Sequence, residues 1–114
     1  MEPTRLQLSQ HAGFDLQKLS RDYNGREAVS VARPRRWGNP FIVNDKFAAG
    51  TKVGGGYIAA PTVEDAVGCF RELIAQDPKF TAEAVADLRG KNLACWCMPV
   101  TPCHPDVLLG IANR

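Results

Sequence analysis

Polar and apolar positions alternate over Arg5-Leu6-Gln7-Leu8-Ser9, the period of a half-buried strand. From Asp15 to Asn24 the spacing changes to that of a short helix. Leu16, Leu19 and Tyr23 fall on one face, and Gly25 is its stop. Ala28-Val29-Ser30-Val31-Ala32 predicts a second strand, and Phe41-Ile42-Val43 another short one. Asn44 to Gly56 carries Gly50, Gly54, Gly55 and Gly56, but not the spacing of a P-loop or a dinucleotide fingerprint. It reads as a flexible hairpin or lid, with Tyr57-Ile58-Ala59 as an edge strand or part of the same excursion. Thr62 caps the clearest helix. Glu64 and Asp65 lie in its first turn, and Val63, Ala66, Val67, Phe70, Leu73 and Ile74 form its apolar face. Cys69 reads most simply as a small buried or half-buried residue of that helix. Asp77-Pro78 ends it, and Thr81 to Leu88 is a shorter helix stopped by Gly90.

Asn92 to Cys97 is apolar, short and bounded by Gly90 and Pro99, as suits a strand buried on both faces. Alternation puts Cys95 and Cys97 on one face with Leu93, and Trp96 with Ala94 on the other. A proline-ruled loop follows. A last helix then starts at Cys103-His104, with Pro105 as its first helical residue and Val107, Leu108 and Ile111 as its stripe.

Strands and helices are interleaved, which predicts an α/β fold: one small domain over residues 1–114, with a partly parallel sheet flanked by helices. Ligands in such sheets bind beyond the C-terminal ends of the strands. Two loops meet that description, the one after Val31 and the one after Cys97. If their strands are parallel neighbours, the loops face each other across a crevice.

Composition narrows this only a little. The 114 residues are 45% apolar and 23% charged, ordinary for a globular protein, and the net charge of +2 does not by itself argue nucleic-acid or membrane binding. Residues 1–46 hold eight Lys/Arg against five Asp/Glu, and Arg33, Arg35 and Arg36 are clustered there. No apolar run is long enough to span a membrane and no signal peptide is seen. A cytoplasmic protein with reduced cysteines is therefore expected, and membrane partners are not.

Arg33-Pro34-Arg35-Arg36-Trp37-Gly38-Asn39-Pro40-Phe41 is stiffened by two prolines. Guanidinium forks match phosphate geometry and an indole stacks on rings, so Arg33, Arg35, Arg36, Trp37, Gly38 and Asn39 are candidate ligand-binding residues. The competing reading is a surface loop whose Trp37 plugs the core and whose arginines are solvated. Cys103 at a helix start near arginines is a candidate nucleophile, His104 a candidate proton carrier, and Asp106 a group to orient a histidine or a hydroxyl. This reading needs no metal or cofactor. An alternative is zinc held by Cys95, Cys97, Cys103 and His104, the right ligand types without the usual C-x-x-C knuckles. A third reading leaves the cysteines buried and the histidine as a helix cap. His11 stands alone in a polar turn and is read as solvated.

The stretches Arg33–Phe41, Leu88–Cys97 and Pro102–Leu109 closely resemble those of domain-of-unknown-function family 4326, small proteins of bacteria and their phages. The resemblance extends over nearly the whole chain, including Arg5 to Ser9. That family usually has a glycine at the place of Pro105. The Cys103-His104 helix start is also similar to that of another uncharacterised α/β family. Phage occurrence associates such proteins with nucleotide or nucleic-acid metabolism. Two functions stand as expectations. The first is binding of a phosphorylated, nucleotide-like ligand or a nucleic-acid end, with Trp37 or Trp96 stacking and with Cys/His chemistry as an addition. The second is a non-enzymatic zinc-binding or phage–host interaction module.

Overall fold

The computed structural model describes residues 2–32, 36–43, 46, 48, 50–54, 56–97 and 101–113. Along these the chain forms β1 (Arg5–Gln7), α1 (Leu16–Asn24), β2 (Ala28–Ser30), β3 (Phe41–Val43), β4 (Lys52–Gly54), β5 (Tyr57–Ala60), α2 (Val63–Ala75), α3 (Pro78–Leu88), β6 (Asn92–Cys95) and α4 (His104–Ala112). The expected α/β class holds: a parallel sheet and a mixed sheet flanked by four helices among the described residues.

Side-chain caps set the helix starts. Asp15 accepts the Lys18 N–H, Thr62 that of Asp65, and Asp77 that of Phe80. Asp77-Pro78 is thus a start as well as a stop. Proline needs no N–H in the first turn, so α3 begins three residues before the predicted Thr81. Gly25 closes α1 at φ 75°, a left-handed conformation natural to glycine.

The first sheet has the order β1-β6-β2, all parallel. The last strand in sequence is inserted between the first two, with Leu93 opposite both Arg5 and Val29. All four residues of β6 are buried. Its alternation holds: Leu93 and Cys95 face the main core with α2, α3 and α4, while Ala94 meets Leu6, Ala28 and Leu16 on the other side. The strand stops at Cys95, two residues earlier than expected, and Cys97 lies in the bend beyond it.

The second sheet has the order β3-β5-β4. β4 and β5 form an antiparallel hairpin, as one reading of the glycine-rich stretch anticipated, and β3 pairs parallel to β5. β5 is therefore the central strand, not an edge. The buried methyls of Ala59 and Ala60 let α2 approach it closely. Asn44 and Gly55 of that stretch lie outside the described residues.

α1 differs from its predicted orientation. Leu19 and Tyr23 are exposed at 39% and 50%, and Ser20 is the residue buried. A polar hub draws it inward. Asn92, fully buried at the start of β6, accepts the Thr4 N–H at 3.0 Å and an Asn24 amide N–H at 2.8 Å through Oδ1. Its Nδ2 donates to Ser20 Oγ at 2.7 Å and Asn24 Oδ1 at 2.8 Å. Ser20 Oγ in turn donates to the Arg26 carbonyl.

Replacing Asn92 with leucine keeps its bulk and removes every one of these partners. The stranded buried donors and acceptors cost about 3 kcal/mol, so the melting temperature is expected to fall on the order of 10 °C or more. Thermal unfolding followed by circular dichroism checks this. A shift of only a degree or two would remove the hub's structural role.

Candidate functional site

β6 ends at Cys95, and the chain bends outward through Trp96 and Cys97. It returns at Thr101-Pro102, and Cys103 caps α4 in extended backbone, φ −153° and ψ 154°. His104 is then the first helical residue, and Pro105 the second, one place later than predicted. Pro99 lies outside the described residues.

His104 is buried, and its Nε2 lies 2.7 Å from the Val31 carbonyl oxygen. A carbonyl only accepts, so Nε2 carries a proton, and in the neutral ring the lone pair sits on Nδ1. That nitrogen is 3.7 Å from Cys103 Sγ. Phe70 of α2 meets the ring edge to face at 5.3 Å. The imidazole thus ties the end of the β2 segment to α4 and α2. Asp106 does not orient it: its carboxylate receives Arg5 Nη1 at 2.9 Å, closing β1 against α4.

Three of the four cysteines converge here. Cys97 and Cys103 are joined as a disulfide with their Cα atoms 6.5 Å apart. This corrects the expectation of reduced cysteines. The bend after β6 and the cap of α4 bring two residues six apart in sequence within disulfide reach. In this state Cys103 carries no thiolate, so the nucleophile reading does not apply to it. Cys95 Sγ lies 3.5 Å from Cys103 Sγ. Burial pushes the Cys95 thiol pKa up. The Cys97 backbone N–H and the charge of Arg5 oppose that shift, and Asp106 adds to it.

Of the loop's arginines, only Arg36 lies among the described residues, and it is tethered while remaining exposed. Arg33 and Arg35 lie outside the described residues. Arg36 forms ion pairs with Glu83 and Asp87 of α3 and lies 4.6 Å over the Trp37 ring. Trp37 is buried in the core, edge-on to Phe80 at 5.0 Å, as the core-plug reading had it. Gly38 is half-buried. Asn39 is buried: it donates to the Ala66 carbonyl of α2 at 3.1 Å and accepts the Phe41 N–H at 2.9 Å.

Because β2 and β6 are parallel neighbours, the two loops do meet. Between them is a crevice of about 420 Å³. Asn39, Ile42, Val43 and Val63 line it, together with Cys95, Trp96, Cys97, Cys103 and His104. Arg36 and Trp37 are not among the lining residues. Trp96 is, and the residue is 51% exposed. Ile42, Val43 and Val63 carried no chemical signal in the sequence. Their apolar side chains read equally well as core; the pairing of β3 with β5 brings Ile42 and Val43 here, and the start of α2 brings Val63.

The model of the domain of unknown function DUF4326 matches residues 15–114, and the chain belongs to that family. The match runs from the cap of α1 through α4 and does not include β1. No curated protein and no solved structure matches the chain. No helix among the described residues is long and apolar enough to cross a membrane.

The environment of Cys95 predicts its reactivity. After full reduction, a pulse of iodoacetamide near pH 8 should label half-buried Cys69 well before Cys95. Cys95 is shielded, and its raised pKa leaves less of it as reactive thiolate. Peptide mass spectrometry gives the order. Equal labelling rates would contradict the burial of Cys95.

Proposed function

We propose that this DUF4326 protein binds a small, planar, negatively charged ligand in the crevice: a phosphorylated, nucleotide-like molecule or a nucleic-acid end. The carrying observation is the crevice's position. It lies at the carboxyl ends of the parallel strands β2 and β6, with the start of α4 in its lining and a half-exposed indole beside it.

The division of labour follows from the lining. Ile42, Val43 and Val63 offer an apolar seat for a ring, and Trp96 offers a face on which that ring stacks. The N-terminus of α4 favours an anion nearby. Arg33 and Arg35 supply further positive charge from the facing loop, a role that Arg36 leaves to them while it is held by Glu83 and Asp87. Gly38, Asn39 and Trp37 act here by holding the loop. Cys103 and His104 contribute the shape of the helix start. This reading sets the protein in the cytoplasm, where phosphorylated nucleosides are made and consumed.

Isothermal titration with nucleoside monophosphates and a short 5′-phosphorylated oligonucleotide tests it. Trp96→Ala should weaken binding about tenfold, the usual loss of one stacking partner, with an unchanged melting temperature. Arg35→Ala should weaken binding and flatten its salt dependence, while Lys79→Ala, a surface change on α3, should do neither. If no phosphorylated probe binds at millimolar concentration, or if Trp96→Ala binds like the parent, the reading is abandoned.

A further inference from the structure

A disulfide needs two cysteines, yet three sulfurs meet where β6 ends and α4 begins. The Sγ atoms of Cys95, Cys97 and Cys103 all lie within 4.8 Å of one another. Cys95 has no part in the disulfide, but its sulfur is 3.5 Å from that of Cys103. Thiolates about 2.3 Å from a tetrahedral zinc ion stand about 3.8 Å apart, so the Cys95–Cys103 separation is close to what such an ion sets, and opening the disulfide lets Cys97 move out to the same spacing.

The neighbouring imidazole adds an independent observation. Val31 takes the Nε2 proton of His104, and the Nδ1 lone pair is 3.7 Å from Cys103 Sγ. A ligating histidine characteristically donates its other N–H to a carbonyl or carboxylate in this way. The objections raised by the sequence also weaken. Only Cys95 comes from the strand; Cys97 lies in the bend, half-buried against the edge of the core and already beside the other sulfurs. With Cys103 in extended backbone, its Sγ and the Nδ1 of adjacent His104 lie 3.7 Å apart.

We propose that the reduced protein holds one zinc-like divalent cation on the sulfurs of Cys95, Cys97 and Cys103, with His104 Nδ1 as the fourth ligand. The inference rests on the sulfur cluster and does not need the nucleotide-like ligand. Reduction comes first. An added phosphine gives two electrons to the Cys97–Cys103 bond, water supplies the two protons, and the phosphine leaves as its oxide. The three thiols then lose their protons to solvent as the metal–sulfur bonds form.

The test titrates cobalt(II), then zinc(II), into the reduced full chain with no nucleotide present, so its outcome is separate from that of the ligand titration. One equivalent of cobalt should give sulfur-to-metal charge transfer and the d–d bands of a tetrahedral site, and zinc should abolish both. Cys95→Ala and Cys97→Ser should each weaken binding at least a hundredfold. His104→Ala should weaken it at least tenfold and shift the d–d bands, and Cys69→Ser should change nothing. Circular dichroism verifies folding. If Cys95→Ala does not fold, Cys97→Ser, which changes a half-buried residue of the bend, decides. The proposal is overturned by absence of charge transfer in the reduced parent, by parent-like binding in Cys97→Ser, or by loss of binding in Cys69→Ser.

Discussion

The amide of Asn92 meets all its principal hydrogen-bonding needs inside the protein, and the placement of the site follows from that. Its two acceptor bonds and two donor bonds fix the start of β6 against the chain before β1 and against α1. Side chains alternate along a strand, so a slip of one residue would turn Leu93 and Cys95 away from the main core and Ala94 into it. With Asn92 fixed, Cys95 must emerge three residues later on the α4 side. The bend that follows then delivers Trp96 and Cys97 to the crevice. A polar constraint at one end of a buried strand thereby sets the chemistry at the other.

The loop facing this corner shows how the same residues can serve folding and recognition at once. Trp37 enters the core, Arg36 covers its ring and is clipped to α3, and Asn39 is bonded to α2. The ion pairs of Arg36 are partly exposed and contribute little stability by themselves. The buried indole and amide are the stronger anchors, because unseating them opens a cavity or strands a polar group. The stiffness attributed to prolines in the sequence therefore has a second source in packing. Positive charge left for a ligand must come from positions whose side chains do not perform these tasks.

How legible each feature was depended on the range of the interactions behind it. β6, the α2 cap and the crevice between the two loops follow from local pattern and from parallel pairing, both readable along the chain. The inward face of α1 was not readable, because leucine spacing pointed to Leu19 and Tyr23 while Asn92, far away in sequence, selected Ser20. The central position of β5 was hidden for a similar reason. A short Tyr-Ile-Ala-Ala segment becomes central only when β3 and α2 close around it. The Cys97–Cys103 bond was missed because the prior from compartment was applied to residue counts, whereas the geometry of the bend decides reach. Trp96 reads as part of a strand buried on both faces; the strand stops at Cys95, and that early end leaves Trp96 exposed.

His104 narrows the chemistry available to this corner. With Nε2 bound to the Val31 carbonyl, that nitrogen has no lone pair to offer, so a proton or a metal must be received at Nδ1, beside Cys103. The histidine is therefore a partner of sulfur before it is a partner of anything in the crevice. The disulfide ties the bend after β6 to the cap of α4. A cation on the same sulfurs would join those two segments again while also engaging Cys95. Either bond braces the start of α4 against the end of β6. Recognition by the crevice and chemistry at the sulfurs thus share residues without requiring one another.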